Sequence, residues 1–320
     1  MNANTIAGLV AVSLALGLAS PAVAAQGVWM GPQALKPAAR AALSQAVAQE
    51  KARNPQAFEA VAQVTGCTLA GYSQMRQNAP SCGRQLRALQ GQVVLPLLSA
   101  LALSEPRGAD GHVPYATAAE REAFAAAAIE AVGILRDVRA RDVLHAAFAT
   151  APSAVLARSA ADALGRLGGD AELAILEGNA RSGAKQLAAI GGLGECKRVD
   201  AAKVLGSLLA TSKDPVLTTA IANAAGRVAS AWAWQAIVRS VPSKAAESLD
   251  IRTLMARAVA EALLVTTEAG AVEELTQALQ MTEHPQMAAI LAEVRARGDK
   301  AAMTRVDTAA SRYVAYSKQR

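Results

Sequence analysis

Four copies of one phrase lie between residues 131 and 237: small residues ending in Gly, a short polar break, then an apolar pair ten and eleven positions after the Gly. The copies are Ala131-Val132-Gly133 with Val143-Leu144, Ala163-Leu164-Gly165 with Ala174-Ile175, Gly192-Leu193-Gly194 with Val204-Leu205, and Ala224-Ala225-Gly226 with Ala236-Ile237. Their glycines are 32, 29 and 32 residues apart. A period near 30 with helical patterning specifies an α-solenoid, because one such unit cannot bury its apolar face alone and must stack on its neighbours. The phrase places each Gly near the end of a second helix, where either a positive φ or a close helix-helix approach is needed. The apolar pair then opens the buried face of the next unit.

The rest of the chain agrees with an all-α class. Of its 320 residues 52% are hydrophobic but only 3% aromatic, and Ala, the best helix former, dominates nearly every segment. No run of β-branched or aromatic residues alternates with polar ones between turn residues, as a half-buried strand would require.

The first charged side chain is Lys36, and residues 6–25 are apolar or small apart from Ser13, Ser20 and Pro21. Pro21 and the small residues after it suit signal-peptidase cleavage, so residues 1–25 are expected to be a Sec-type signal peptide. An uncleaved N-terminal anchor is the alternative. Export predicts a periplasmic or secreted protein, and an oxidising compartment allows Cys67 and Cys82 to pair across a polar loop. Cys196 is left over as a structural thiol.

Residues 26–116 read as an N-terminal helical region carrying the disulfide loop. Pro96 predicts a break near residues 92–95, and Thr117 with Glu120 makes a capping box for the helix that follows the loop at 105–116. Residues 117–300 divide into helix pairs: 142–149 with 155–167, 171–180 with 185–193, 200–210 with 216–228, 231–240 with 251–265, and 271–280 with 286–297. Residues 301–320 form a basic tail; from Glu293 onward seven Lys and Arg stand against three Asp and Glu, a net +4 out of a formal charge of +6. Such a tail can meet a membrane surface or an acidic partner, or simply be a solvated face.

The turn Lys213-Asp214-Pro215-Val216 and the second helix Val155-Leu156-Ala157-Arg158-Ser159-Ala160-Ala161-Asp162-Ala163-Leu164-Gly165 resemble HEAT repeats, especially the short HEAT-like type found in chromophore lyases. The resemblance covers about residues 117–300. It implies a curved scaffold that binds another macromolecule, and it implies no reaction.

Catalytic residues are scarce. Only three His are present: His145 on a repeat helix, His284 before Pro285 in a turn, and His112, which shares its loop with Asp110 and Tyr115. Gly191-Gly192-Leu193-Gly194 follows a helix and lacks the third Gly of a dinucleotide-binding turn. No cofactor and no metal are expected. The best binding candidates are Trp232 and Trp234, which point about 200° apart on a helix so that one can be buried while the other faces water, together with Arg158 and Lys185 on the second helices. The sequence therefore points to an exported scaffold that binds a protein partner through its solenoid surface. The alternative is a lyase- or hydrolase-like enzyme with its site at 105–116. Nucleic acid would fit the basic end and the Trp pair, as in HEAT-repeat DNA glycosylases, but export argues against it.

Overall fold

The computed structural model describes residues 27–69 and 82–318, and the expected signal peptide lies outside them. The described residues fold as α-helices joined by short turns, without strands: α1 (Pro37–Arg53), α2 (Pro55–Ala62), α3 (Cys82–Ala88), α4 (Val94–Ala102), α5 (Ala118–Leu135), α6 (Arg141–Thr150), α7 (Ala154–Leu167), α8 (Asp170–Arg181), α9 (Gln186–Glu195), α10 (Val199–Thr211), α11 (Pro215–Val228), α12 (Ala231–Ser240), α13 (Ala245–Val265), α14 (Ala269–Thr282), α15 (Met287–Arg295) and α16 (Lys300–Lys318). Local signals set their ends. Thr117 Oγ1 accepts from Glu120 N while Glu120 Oε2 accepts from Thr117 N, completing the capping box. Asp214 caps α11 through Val216 N at 2.9 Å, with Pro215 in the first turn. Pro96 lies in the first turn of α4, directly after a 3₁₀ turn at Gln90–Val93, where its missing N–H breaks no helical bond.

The helices stack in two layers that form an all-α solenoid. The second helices α3, α5, α7, α9, α11, α14 and α16 pack side by side in chain order, and α4, α6, α8, α10, α13 and α15 make a looser first layer. One continuous core of buried residues runs from Val28 to Ala309. The segment before α1 is part of it: Val28 and Met30 are buried, and Val28 N donates to Ala100 O at 2.8 Å.

The repeated Gly is a packing residue. None of Gly133, Gly165, Gly194 and Gly226 has a positive φ. A methyl group on Gly133 would lie 2.6 Å from Ala163 Cβ, one on Gly194 2.9 Å from Ala224 Cα, and one on Gly165 would overlap the Gly192 carbonyl oxygen. Each Gly therefore meets the small residue that opens the phrase in the next second helix, and the helices approach to backbone contact. The left-handed cap of α7 is supplied by Gly168 instead, at φ 64°.

The apolar pairs behave less uniformly. Val143-Leu144 and Val204-Leu205 are buried, but in α8 the core residues are Leu173 and Leu176, with Ala174 exposed. The fourth copy breaks the frame. Residues 231–240 do not pair with 251–265: α13 packs beside α10 and α14 beside α11, so α12 stands outside the layers. Gly226 accordingly meets Ala278, 3.1 Å from the position of its absent Cβ, and Ala278-Leu279-Gln280 takes the place of the phrase. Burial accounts for this choice. The ten residues of α12 bury only Ala231 and Trp234, whereas α13 buries Ile251, Met255, Ala256, Val259, Ala260 and Leu263, and buried apolar area selects the helix that joins the layer.

The C-terminal segment is also part of the stack. Ala302, Val306 and Ala309 of α16 are buried against α13, α14 and α15, so layered packing continues past residue 300. Cys67 and Cys82 lie at disulfide distance, with Cα atoms 5.0 Å apart.

A methyl group can be added at two helical glycines with opposite outcomes. Gly165→Ala should destabilise the fold by about 1–3 kcal/mol through overpacking. Gly178→Ala, which has open space around it in α8, should stabilise it by roughly 0.5–1 kcal/mol through helix propensity. Denaturant unfolding of both variants checks the sign of each.

Candidate binding surface

Charged side chains link the second-helix layer across five helices. Arg87 of α3 contacts Glu130 of α5 at 3.1 Å. Glu130 lies within Coulombic reach of Arg166 on α7, and Arg166 Nε donates to Glu195 of α9 at 3.3 Å. Glu195 also accepts from Arg227 of α11 at 2.8 Å, and Arg227 reaches back to Asp162 at 3.7 Å. Burial raises the Glu130 carboxyl above its ordinary range despite Arg166 and Arg87. Burial acts in the same direction on Glu195, but Arg166, Arg227 and Lys197 outweigh it and hold that carboxyl low. Donors outnumber acceptors in this strip: Arg166 Nη1 and Arg227 Nε are buried without a hydrogen-bond partner.

Reading along the chain does not reveal the strip. Apart from Arg87, its members sit directly after the repeated Gly (Arg166, Glu195, Arg227) or three residues before it (Glu130, Asp162). These positions are one helical turn apart on the same face. The signal is visible only when the repeats are aligned and compared down each column.

Arg158 and Lys185 do come together. They line a groove of about 550 Å³ between the 151–158 and 183–188 segments, walled by Ala151, Pro152, Ala157 and Leu187. Arg158 is paired with Asp162 one turn on, at 3.2 Å, and its side chain remains 45% exposed. Gly191 makes room for it, since a methyl there would come within 2.7 Å of Arg158 Nε. Lys185 is tied down more firmly. Its ammonium donates to Phe148 O and to Ala149 O and lies 5.4 Å from the Phe148 ring, so it closes the C-terminal end of α6. Burial lowers its pKa.

The two Trp separate as their helical spacing requires. Trp234 is buried, and its Nε1 donates to Val228 O at 2.8 Å. It therefore anchors α12 to the end of α11 and presents no binding surface. Trp232 is 69% exposed on the opposite face of α12, which it shares with Gln235, Ala236 and Arg239.

In the 105–116 loop Glu105 pairs with Arg121 at 3.4 Å, beside the Tyr115 ring. The Asp110 carboxylate accepts from the backbone N of His112 at 2.9 Å, which holds its pKa low. The Tyr115 ring packs on Phe124, 5.7 Å between centroids, beneath the Arg121 guanidinium. Burial pushes the Tyr115 phenol up to about 12. His112 Nε2 is buried without a partner, and Glu59 of α2 braces the loop through Ala109 N at 2.9 Å. Among the described residues no group of three or more His, Cys, Asp or Glu could hold a metal ion.

The remaining candidates have structural roles. His145 Nε2 and Arg141 Nε share Glu172 Oε1 at 2.8 and 2.9 Å. Cys196 is buried, and desolvation pushes its thiol up to about 11, which keeps it protonated and unreactive. Much of the C-terminal basic charge is consumed within the fold. Arg295 pairs with Asp307, Arg297 with Glu261 and Arg312 with Glu273, while Arg305 donates to Leu263 O and Leu264 O. No helix among the described residues is long and apolar enough to cross a membrane. Neither a protein-family profile nor a curated protein sequence matches this chain.

His284 generates a pH dependence. It is buried, its Nδ1 accepts from Gln286 N at 3.1 Å, and its Nε2 is 2.8 Å from Thr253 Oγ1. Desolvation, then Arg252 and Arg257, depress its pKa. Below the unfolded value of about 6.5 the unfolded chain takes up a proton that the folded chain resists, so stability is lost as pH falls. Thermal melts should show a lower midpoint at pH 5.5 than at pH 7.5, and His284→Gln should flatten that difference. The Trp pair gives a second outcome. Trp234→Ala should cost about 3–5 kcal/mol of stability, and Trp232→Ala should leave it within about 0.5 kcal/mol, both read from unfolding curves.

Proposed function

We propose that this protein is an exported, HEAT-like scaffold that binds another protein through its second-helix layer and carries out no reaction itself. The observation that carries the reading is the groove at 151–158 and 183–188, an open apolar concavity on that layer with Arg158 on its wall and Leu187 half exposed. Exposed apolar surface rimmed by polar groups is characteristic of interaction sites. Export is supported by the Cys67–Cys82 pair, since such bonds persist in oxidising compartments. The signal peptide expected at residues 1–25 is the sequence counterpart of that argument.

Crosslinking from the surface tests this reading. A photoreactive amino acid replacing Leu187 in the producing cell should give a discrete protein adduct. The same residue replacing Ala174, exposed on α8 in the first layer, should not. Identical adducts at both positions, or none at Leu187, would overturn the scaffold reading.

A further inference from the structure

The chemistry of the groove narrows what enters it. Its walls are apolar: Ala151, Pro152, Ala157, Ala184, Leu187 and Ala188. Its charged members are both cations, Arg158 and Lys185, and the carboxylates that touch its lining are Asp162, on Arg158, and Glu122, which accepts from Ser153 Oγ. Lys185 lies on carbonyl oxygens and has no carboxylate in contact, so its charge is uncompensated at close range. Arg158 has one carboxylate, Asp162, and Asp162 is itself shared with Arg227. The strip leading away from the groove continues the imbalance. Arg87, Arg158, Arg166 and Arg227, with the half-buried Lys197, stand against Glu130, Asp162 and Glu195. Burial pulls Lys197 down to about 8 even though the Glu195 carboxylate favours its charged form, with Arg227 and Arg136 acting in the same direction as burial. The two guanidinium nitrogens without acceptors express the same shortage of carboxylates.

We infer that the groove takes an acidic segment of a partner protein, with a large apolar side chain seated against Leu187 and the alanines and a flanking carboxylate on Arg158. This rests on the scaffold reading above and adds the class of ligand. The apolar walls distinguish such a segment from a nucleic acid backbone or a headgroup surface, neither of which fills an Ala- and Leu-lined slot. Arg158 is the discriminating contact, because its guanidinium can bind a carboxylate through two parallel N–H groups. Gly191 is a positioning residue for it, since any side chain there would displace the guanidinium from across α9.

The experiment is selection of a phage-displayed library of random 12-residue peptides on the full protein. The enriched peptides are then titrated by fluorescence anisotropy against the protein, Arg158→Ala and Leu187→Asp. The expected result is enrichment of peptides with Asp or Glu beside a large apolar residue. Their affinity should fall at least tenfold in each variant and decline with added salt, as charge pairing requires. Both substitutions fall on partly exposed side chains, and circular dichroism melts confirm that each variant is folded. Enrichment of basic or uncharged peptides, no enrichment at all, or binding unchanged in both variants overturns the inference, as does preferential binding to single-stranded DNA or to anionic phospholipid vesicles run in parallel. An adduct at Leu187 with a partner lacking such a segment would leave the scaffold standing and remove only the acidic ligand. No adduct at Leu187 would remove the scaffold as well.

Discussion

Backbone contact between successive second helices is the constraint on which the other features depend. Gly133 on Ala163, Gly165 on Gly192, Gly194 on Ala224 and Gly226 on Ala278 set how closely α5, α7, α9, α11 and α14 approach. At that separation one residue per helix must be small, and the residues around it are brought within reach of both neighbouring helices. The charge strip follows directly. Arg166, Glu195 and Arg227 occupy the position after the Gly, so each reaches a neighbouring second helix, and a carboxylate on α9 is shared by guanidiniums from α7 and α11.

The same stacking determines where the positive charge goes. Helix carboxyl ends present carbonyls without helical partners, and in this protein cations from turns and from other helices supply many of the donors. Lys185 reaches the end of α6, Lys197 the ends of α9 and α11, Arg252 the end of α14 and Arg305 the end of α13. Arg198 donates to the Gly168 carbonyl just past α7. A basic composition is therefore partly a structural requirement of a fold with many helix ends. What distinguishes Arg158 is its position at an apolar groove with its guanidinium still accessible.

Much of the local architecture was legible in the chain. The capping box at Thr117 and Glu120, the Asp214-Pro215 start of α11 and the break ahead of Pro96 each depend on residues within one turn, and each formed as its chemistry requires. The separation of the Trp pair also followed from helical geometry, although spacing could not say which ring is buried. The candidate surface was only half legible. Arg158 and Lys185 were recognisable as second-helix cations, but Lys185 is anchored to backbone carbonyls, and Glu195 and Arg227 carried no local signature.

The sequence by itself determined the helical class, the period near 30 and the need for small residues at its glycines, because these depend on propensity and spacing along the chain. Tertiary structure alone decided the register after Gly226. A helix of ten residues with two buried side chains follows that glycine, and α13 displaces it from the layer because it buries far more apolar surface against α10. Competition between two segments for one place in a stack is a comparison of burial over about fifty residues, and no pattern within either segment records its result. The pairing of the C-terminal arginines and the groove beside Arg158 were decided in the same way, by partners about twelve to forty residues distant that become neighbours only when the helices pack.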